Sequence, residues 1–219
     1  MKLDTPVRSD AVRFVSMACI HHSLPDPKSI PPGDVLIVAG DFTQCGRLDE
    51  IELFSNYLKQ LSHTFKVIIA GNHECTFDNR LTKITENTRK KESLIKQTFP
   101  PQKKSVAKEK LQNGIYLEDS LVELFGIQIY GHGDVLPSGL HIGCVELLNS
   151  VVKRIRPKYH VFAHIHAGYG CTTDGYTKFI NCSLVDDRLQ PVNNPIIFDL
   201  PIAVDVKEYW LQHYRQSVV

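Results

Sequence analysis

Seven side chains in this sequence could hold a cation: the imidazoles of His21, His132, His164 and His166, the carboxylate of Asp41, the amide oxygen of Asn72 and the thiol of Cys19. Each stands just past the carboxyl end of a short apolar run. Cys19 and His21 close the first run, Gly40-Asp41 the second and Gly71-Asn72-His73-Glu74 the third; Gly131-His132 ends a hairpin, and His164-Ile165-His166 ends the run that begins at Tyr159. In open α/β sheets ligands bind outside the carboxyl ends of strands, so these distant residues are expected to converge on one rim. The nitrogen and oxygen donors suit Mn, Fe, Zn or Ni. One aspartate can bridge two ions, and two ions about 3.5–4 Å apart clamp the attacking and leaving oxygens of a phosphoryl displacement. The expected chemistry is therefore metal-assisted phosphoester hydrolysis. His73 lies beside a ligand without needing to be one; protonated, it could donate to the leaving oxygen.

Plainer readings exist for several of these positions. Asp41 after a glycine could begin a turn or cap a helix, Asn72 alone would be a turn residue, and Cys19 could be a small buried apolar side chain. His22, His63, His141, His160 and His213 are read as structural. His164 and His166 differ, because a period of two sends both to one face of a strand. A glycine before Asp41 and another before Asn72 would let the backbone turn sharply into the site.

The elements that must position these residues are legible as short β-branched runs bounded by Gly, Pro and Asn. Strands are expected at residues 13–19, 34–40 and 66–71. Between the last two, Leu48, Ile51, Leu53, Phe54, Leu58 and Leu61 recur at helical spacing, giving a β-α-β unit and a parallel pair. Residues 120–123 and 128–131 flank Phe125-Gly126 and predict a hairpin. Residues 144–155 form an amphipathic helix ending in basic residues before Pro157. Further strands are expected at 159–165, 176–182 and 196–200, and the last eighteen residues read as a soft tail.

The chain of 219 residues, 42% hydrophobic and 22% charged, fits one soluble domain and excludes disordered or coiled-coil architectures. Its 25 basic and 24 acidic residues nearly cancel. Charge is nevertheless segregated: residues 80–110 carry ten Lys and Arg against Glu86, Glu92 and Glu109. This basic insertion is read as a solvated helical segment, with a nucleic-acid patch as the alternative. Six scattered cysteines without a CxxC predict reduced thiols and a cytoplasmic location. No uninterrupted apolar stretch in the first twenty residues suggests secretion, and no run approaches the ~20 residues a membrane span needs.

The motifs GD (40–41), GNHE (71–74) and HIH (164–166), each after a strand, resemble those of the calcineurin-like metallophosphoesterase superfamily. GDFT, VIIAGNHECTFD, GCVELLNSVVKRIRPKYHVFAHIHAGYG, TDGYT and NPIIFDLP are similar to its metallophosphoesterase-domain-containing (MPPED-type) branch, over residues 12–201. Residues 1–11 and 202–219 fall outside as tails. The resemblance implies a four-layer α-β-β-α sandwich, and two divalent ions (Mn, Fe or Zn). It implies that His21, Asp41 and His166 hold the first ion and that Asp41, Asn72, His132 and His164 hold the second. Asp41 is then the bridge and His73 the proton donor. Branch members resemble phosphodiesterases with nucleotide-type substrates and a preference for manganese, so a small phosphoester or nucleotide is the expected partner.

Two departures modify the expectation. Where the family has Asp-x-His, this chain has Cys19-Ile20-His21. A soft thiolate in place of a hard carboxylate should weaken the first ion and favour Zn over Mn. A segment that the branch carries before the His-Gly motif is also absent, since Gly131 leads directly into His132, so part of the second sheet is expected to be missing. A catalytically impaired metal- or nucleotide-binding relative is the corresponding alternative.

Overall fold

The structure is a computed structural model that describes residues 5–21, 23–77, 104–131 and 145–214. His22, His132, His141, Cys144 and the basic insertion up to residue 103 lie outside the described residues. The centre is a five-stranded sheet of β1 (Ala11–Met17), β2 (Val35–Ala39), β3 (Phe65–Ile69), β4 (Ile115–Tyr116) and β10 (Ile196–Pro201), in the order β10-β1-β2-β3-β4. β1, β2, β3 and β4 run parallel, and β10 pairs antiparallel with β1. The expected β-α-β unit is β2, helix α1 (Leu48–Lys59) and β3.

Every residue of β1 is buried, as a strand covered on both faces requires. Val15 and Met17 point into a core that also holds Leu36, Val38 and Ile68 and the α1 residues Ile51, Phe54 and Leu58. Burying each of those α1 side chains contributes about 1.5–3 kcal/mol. Leu53 does not share that face: it is 61% exposed, because two residues from Ile51 is about 200° around the helix. Glu50 fixes the start of α1 by accepting from the Arg47 and Cys45 N–H groups.

On the opposite face, Val12, Phe14, Val35, Phe65 and Val67 pack against the hairpin β5 (Ser120–Leu124) and β6 (Ile127–Gly131). Phe125 and Gly126 both have positive φ, +57° and +72°, the signature of a tight turn whose twist matches its strands. A second sheet, β7-β9-β8, comprises β7 (Tyr159–Phe162), β8 (Gly170–Thr173) and β9 (Lys178–Asn181). Neither β4 nor β8 was expected. β8 is mostly exposed and polar, so it carries no apolar run. The two sheets meet at the carboxyl ends of β1 and β9, where Ala18 N–H donates to the Cys182 carbonyl at 3.0 Å and Leu184 N–H to the Ala18 carbonyl at 2.9 Å. Among the described residues the second sheet has three strands and the hairpin is separate from it.

The expected soft tail is instead helix α4 (Val204–His213), preceded in the chain by α2 (Lys104–Lys110) and α3 (Val145–Asn149), the last continued by a wider π-type turn to Ile155. Trp210 and Leu211 pack on the core beside Phe65 and Phe125. Lys207 is only 5% exposed and donates to Asp34 Oδ2 and to the Arg8 and Ala11 carbonyls. A weakly amphipathic helix of this kind has little periodic signal; a buried polar anchor holds it. In α2, Lys104 and Lys108 pair with Glu118 and Lys110 with Glu52, so this end of the basic stretch is neutralised by neighbouring elements. Among the described residues no helix is long and apolar enough to cross a membrane.

His63 is 3% exposed, and its burial and the nearby Lys66 lower its pKa to about 4. The unfolded chain takes up this proton near pH 6.5 while the folded chain refuses it until about pH 4. The stability contributed by neutral His63 is therefore complete above pH 6.5 and is lost as pH falls through that window. Denaturant titrations at pH 7 and pH 4 should show a loss of up to roughly 3 kcal/mol from this group. The His63→Leu protein should lose correspondingly less than the parent between the same two pH values.

Candidate metal centre

The first two loops that leave the parallel strands are tied together through backbone bonds, and the third joins them through a buried carboxylate. Cys19 N–H donates to the Gly40 carbonyl, and both Ile20 N–H and His21 N–H donate to the Asp41 carbonyl, at 2.9–3.2 Å. Glu74, fully buried, braces the second and third loops. Its Oε2 accepts from Asp41 N–H at 2.8 Å and Gly71 N–H at 2.7 Å, and its Oε1 accepts from the backbone N–H and side-chain hydroxyl of Thr43, both at 2.8 Å. A single carboxylate thus satisfies four donors that the turns would otherwise leave buried and unpaired.

Glycine is required at both turns, for different reasons. Gly40 has φ +86°, where a side chain is strained. At Gly71 the need is space: a Cβ there would stand 2.3 Å from Asp41 Oδ1. The backbone is also left-handed at Cys19 (φ +50°), His21 (+50°), Asp41 (+53°) and His164 (+75°), so four of the proposed ligand positions are held in conformations that non-glycine residues rarely adopt.

Five of these side chains come together, and His164 is in neither group. Ligand atoms of Cys19, His21 and His166 lie within 4.8 Å of one another, as do those of His21, Asp41 and His73. Asp41 faces both ways: its Oδ1 accepts from His73 N–H at 3.0 Å, and its Oδ2 is 3.8 Å from Cys19 Sγ. His166 Nδ1 donates to the Asp186 carbonyl at 2.9 Å, which leaves Nε2 free to bind a cation. His73 Nδ1 donates to the Gln44 carbonyl at 2.6 Å, and its ring meets that of His21 edge-on at 4.4 Å. Asn72 is half-buried between Gly71 and His73.

His164 arrives by a different route from the one expected. β7 ends at Phe162, and Ile165 N–H donates back to the Ala163 carbonyl at 3.0 Å across His164, a three-residue turn of the positive-φ kind. His166 then opens a short 3₁₀ turn, His166–Gly168. The two histidines are thus not alternate residues of one strand face. His164 is exposed, and its N–H donates to Cys19 Sγ at 3.4 Å.

The electrostatics favour a bound cation. Burial and the charge of Asp41 push Glu74 up to about 7, and the same two causes push the Cys19 thiol up to about 12. Carboxylates crowded into a buried rim repel each other; a dication offsets that repulsion. The donor set of imidazole, carboxylate and thiol atoms fits a divalent ion. Several supporting groups went unassigned in the sequence reading. Glu74 had a signal, since it closes the GNHE motif, but its bracing role depends on a partner 31 residues away. The carbonyls of Gln44 and Asp186, and the hydroxyl of Ser183 on Cys19 Sγ, had none.

The chain is similar to proteins of one family. The family described as "Calcineurin-like phosphoesterase" matches residues 13–168. A UPF0046 protein of Caenorhabditis elegans is 43% identical over 264 aligned positions, covering 99% of this chain and 67% of the relative. Human "Metallophosphoesterase domain-containing protein 1" is 36% identical, over 90% of this chain and 74% of its own length. The first alignment is longer than the 219 residues of this chain, so the relative carries residues absent here. With a family match over more than half of its length and relatives more than 30% identical along most of it, the chain belongs to the calcineurin-like phosphoesterase family, whose shared chemistry is metal-dependent phosphoester hydrolysis.

Proposed function

We propose that the protein is a dinuclear metal-dependent phosphodiesterase acting on small, nucleotide-type phosphoesters. The observation that carries this reading is the gathering of Cys19, His21, Asp41, His73 and His166 from four separate loops onto one rim. In this reading His21, Asp41 and His166 would hold one ion. Asp41, Asn72 and His164 hold the other, together with His132, which lies outside the described residues. Asp41 would be shared between the two, in keeping with oxygens that face opposite sides of the site. Divalent ions in such a site activate water and neutralise the charge that develops on phosphoryl oxygens. Glu74 keeps the Asp41 and Gly71 loops in register. His73, anchored through Nδ1, presents Nε2 and passes a proton to the leaving oxygen.

Hydrolysis of bis-p-nitrophenyl phosphate by purified, folded protein supplied in turn with Mn, Zn, Fe and Ni tests the proposal. Turnover with at least one metal is expected, and none with any of them refutes it. His73→Gln should lower kcat by about 10²–10⁴-fold while metal content by elemental analysis stays unchanged. A loss of metal along with activity would make His73 a ligand instead.

The soft donor at position 19 favours a second reading: a relative that binds metal or nucleotide without turning it over. Calorimetry that finds tight AMP or GMP binding with no hydrolysis would select it.

A further inference from the structure

We propose, resting on the hydrolase reading above, that Cys19 is itself a metal ligand. Cys19 Sγ, the His21 and His166 imidazoles and an Asp41 oxygen then form a four-donor site selective for Zn²⁺ and its thiophilic surrogates Co²⁺ and Cd²⁺ over Mn²⁺ and Mg²⁺.

Three observations point the same way. The sulfur is close enough to both imidazoles to share one ion, with all three ligand atoms within 4.8 Å, and Asp41 Oδ2 lies 3.8 Å from it. Two donors aim at the sulfur: His164 N–H and the Ser183 hydroxyl both donate to Sγ, each at 3.4 Å, and a bound cation would offset the burial and the Asp41 charge that otherwise disfavour the thiolate. A cysteine serving only as an apolar filler has no use for two donors aimed at its sulfur; a ligating thiolate does, because such bonds orient it and stabilise its charge. The site is also rigid. Cys19 is fully buried in a left-handed conformation, with its N–H held by the Gly40 carbonyl, and His166 is locked by the Asp186 carbonyl.

One sulfur, two nitrogens and one oxygen match the tetrahedral preference of zinc. Manganese and magnesium prefer oxygen-rich, six-coordinate surroundings and gain little from a thiolate. On binding, the S–H bond breaks, the sulfur–metal bond forms and one proton leaves to solvent.

The test uses the full chain and reads the metal directly. X-ray absorption on zinc-loaded protein should show one sulfur at about 2.3 Å besides nitrogen and oxygen at about 2.0–2.1 Å. Co²⁺-loaded protein should show a near-ultraviolet thiolate-to-cobalt band that Cys19→Ser and Cys19→Asp both lack. In competition, the parent should keep Zn²⁺ against a hundredfold excess of Mn²⁺, and Cys19→Asp should give up its Zn²⁺ at a smaller excess than the parent does. A zinc shell of nitrogen and oxygen alone, or bound cobalt without the band, overturns the inference and leaves the hydrolase reading standing. Failure of that reading has its own signature, the absence of bis-p-nitrophenyl phosphate hydrolysis with every metal. The absorption experiment needs no variant, so misfolding of Cys19→Ser would not shelter the proposal.

Discussion

Replacing Asp41 with asparagine is expected to reduce phosphodiester hydrolysis by on the order of 10³-fold or more, with no loss of fold. Asparagine keeps the size and one carbonyl oxygen that can still accept from His73 N–H, and the bond from Asp41 N–H to Glu74 is made by the backbone. What disappears is the negative charge and the second anionic oxygen, the two properties that let one residue serve two cations. Neighbouring residues that merely orient ligands already cost 10–100-fold when changed; a shared ligand should cost more. Stability supplies an independent check. Asp41 lies beside Glu74 and Cys19 and raises the pKa of both, so in the metal-free protein it is a source of repulsion. The metal-free variant should therefore melt no lower than the metal-free parent. Added zinc or manganese should raise the Tm of the parent and leave that of the variant nearly unchanged. A variant that binds metal and hydrolyses substrate as the parent does would remove Asp41 from the site.

Lys207→Met should destabilise the protein by about 3–5 kcal/mol, the cost of leaving one member of a buried ion pair without its partner. Asp34 is 7% exposed, and its Oδ2 accepts from both Arg13 N–H, at 2.7 Å, and Lys207 Nζ, at 2.8 Å. Methionine replaces the length of the lysine stem and removes three hydrogen bonds and the charge. The Asp34 carboxylate is then buried with one backbone donor and no cation of its own. Urea titration should show a lower midpoint with little change in slope. The double variant Asp34→Asn, Lys207→Met should recover much of the loss, because the uncompensated charge has gone. If the single and double variants are equally unstable, the loss comes from the Arg8 and Ala11 carbonyls and from packing, not from the ion pair. Arg13 of β1, fully buried and bonded to Asp199 on β10 at 2.9 and 3.0 Å, forms a second buried pair. The N-terminal strand thus binds the C-terminal segment by charge as well as by sheet pairing.

Local chemistry explains which parts of this molecule could be read without coordinates. Val35 to Ala39 is apolar on both faces and Phe65 to Ile69 is so apart from Lys66, and the interior of a parallel sheet accommodates such runs. Their position before Gly40-Asp41 and Gly71-Asn72-His73 placed those residues on one rim, because parallel strands all deliver their carboxyl ends to the same edge. The Leu53 exposure, the helix at 204–213 and the γ-turn at His164 were not readable in this way. Each depends on what a residue meets across the fold: solvent beyond Leu53, Asp34 beneath Lys207, and Cys19 Sγ beside the His164 N–H.

The residue types and their order along the chain determined by themselves the β-α-β core, the rim and the ligand chemistry, since these follow from hydrophobic period and donor softness. The tertiary structure alone decided that Glu74 braces two loops, that His166 and His73 are each turned by a carbonyl, and that two donors converge on Cys19. Such bonds join residues remote in sequence through backbone groups. Because every residue has an N–H or a carbonyl to offer, nothing in a side chain's identity marks which of them will be used.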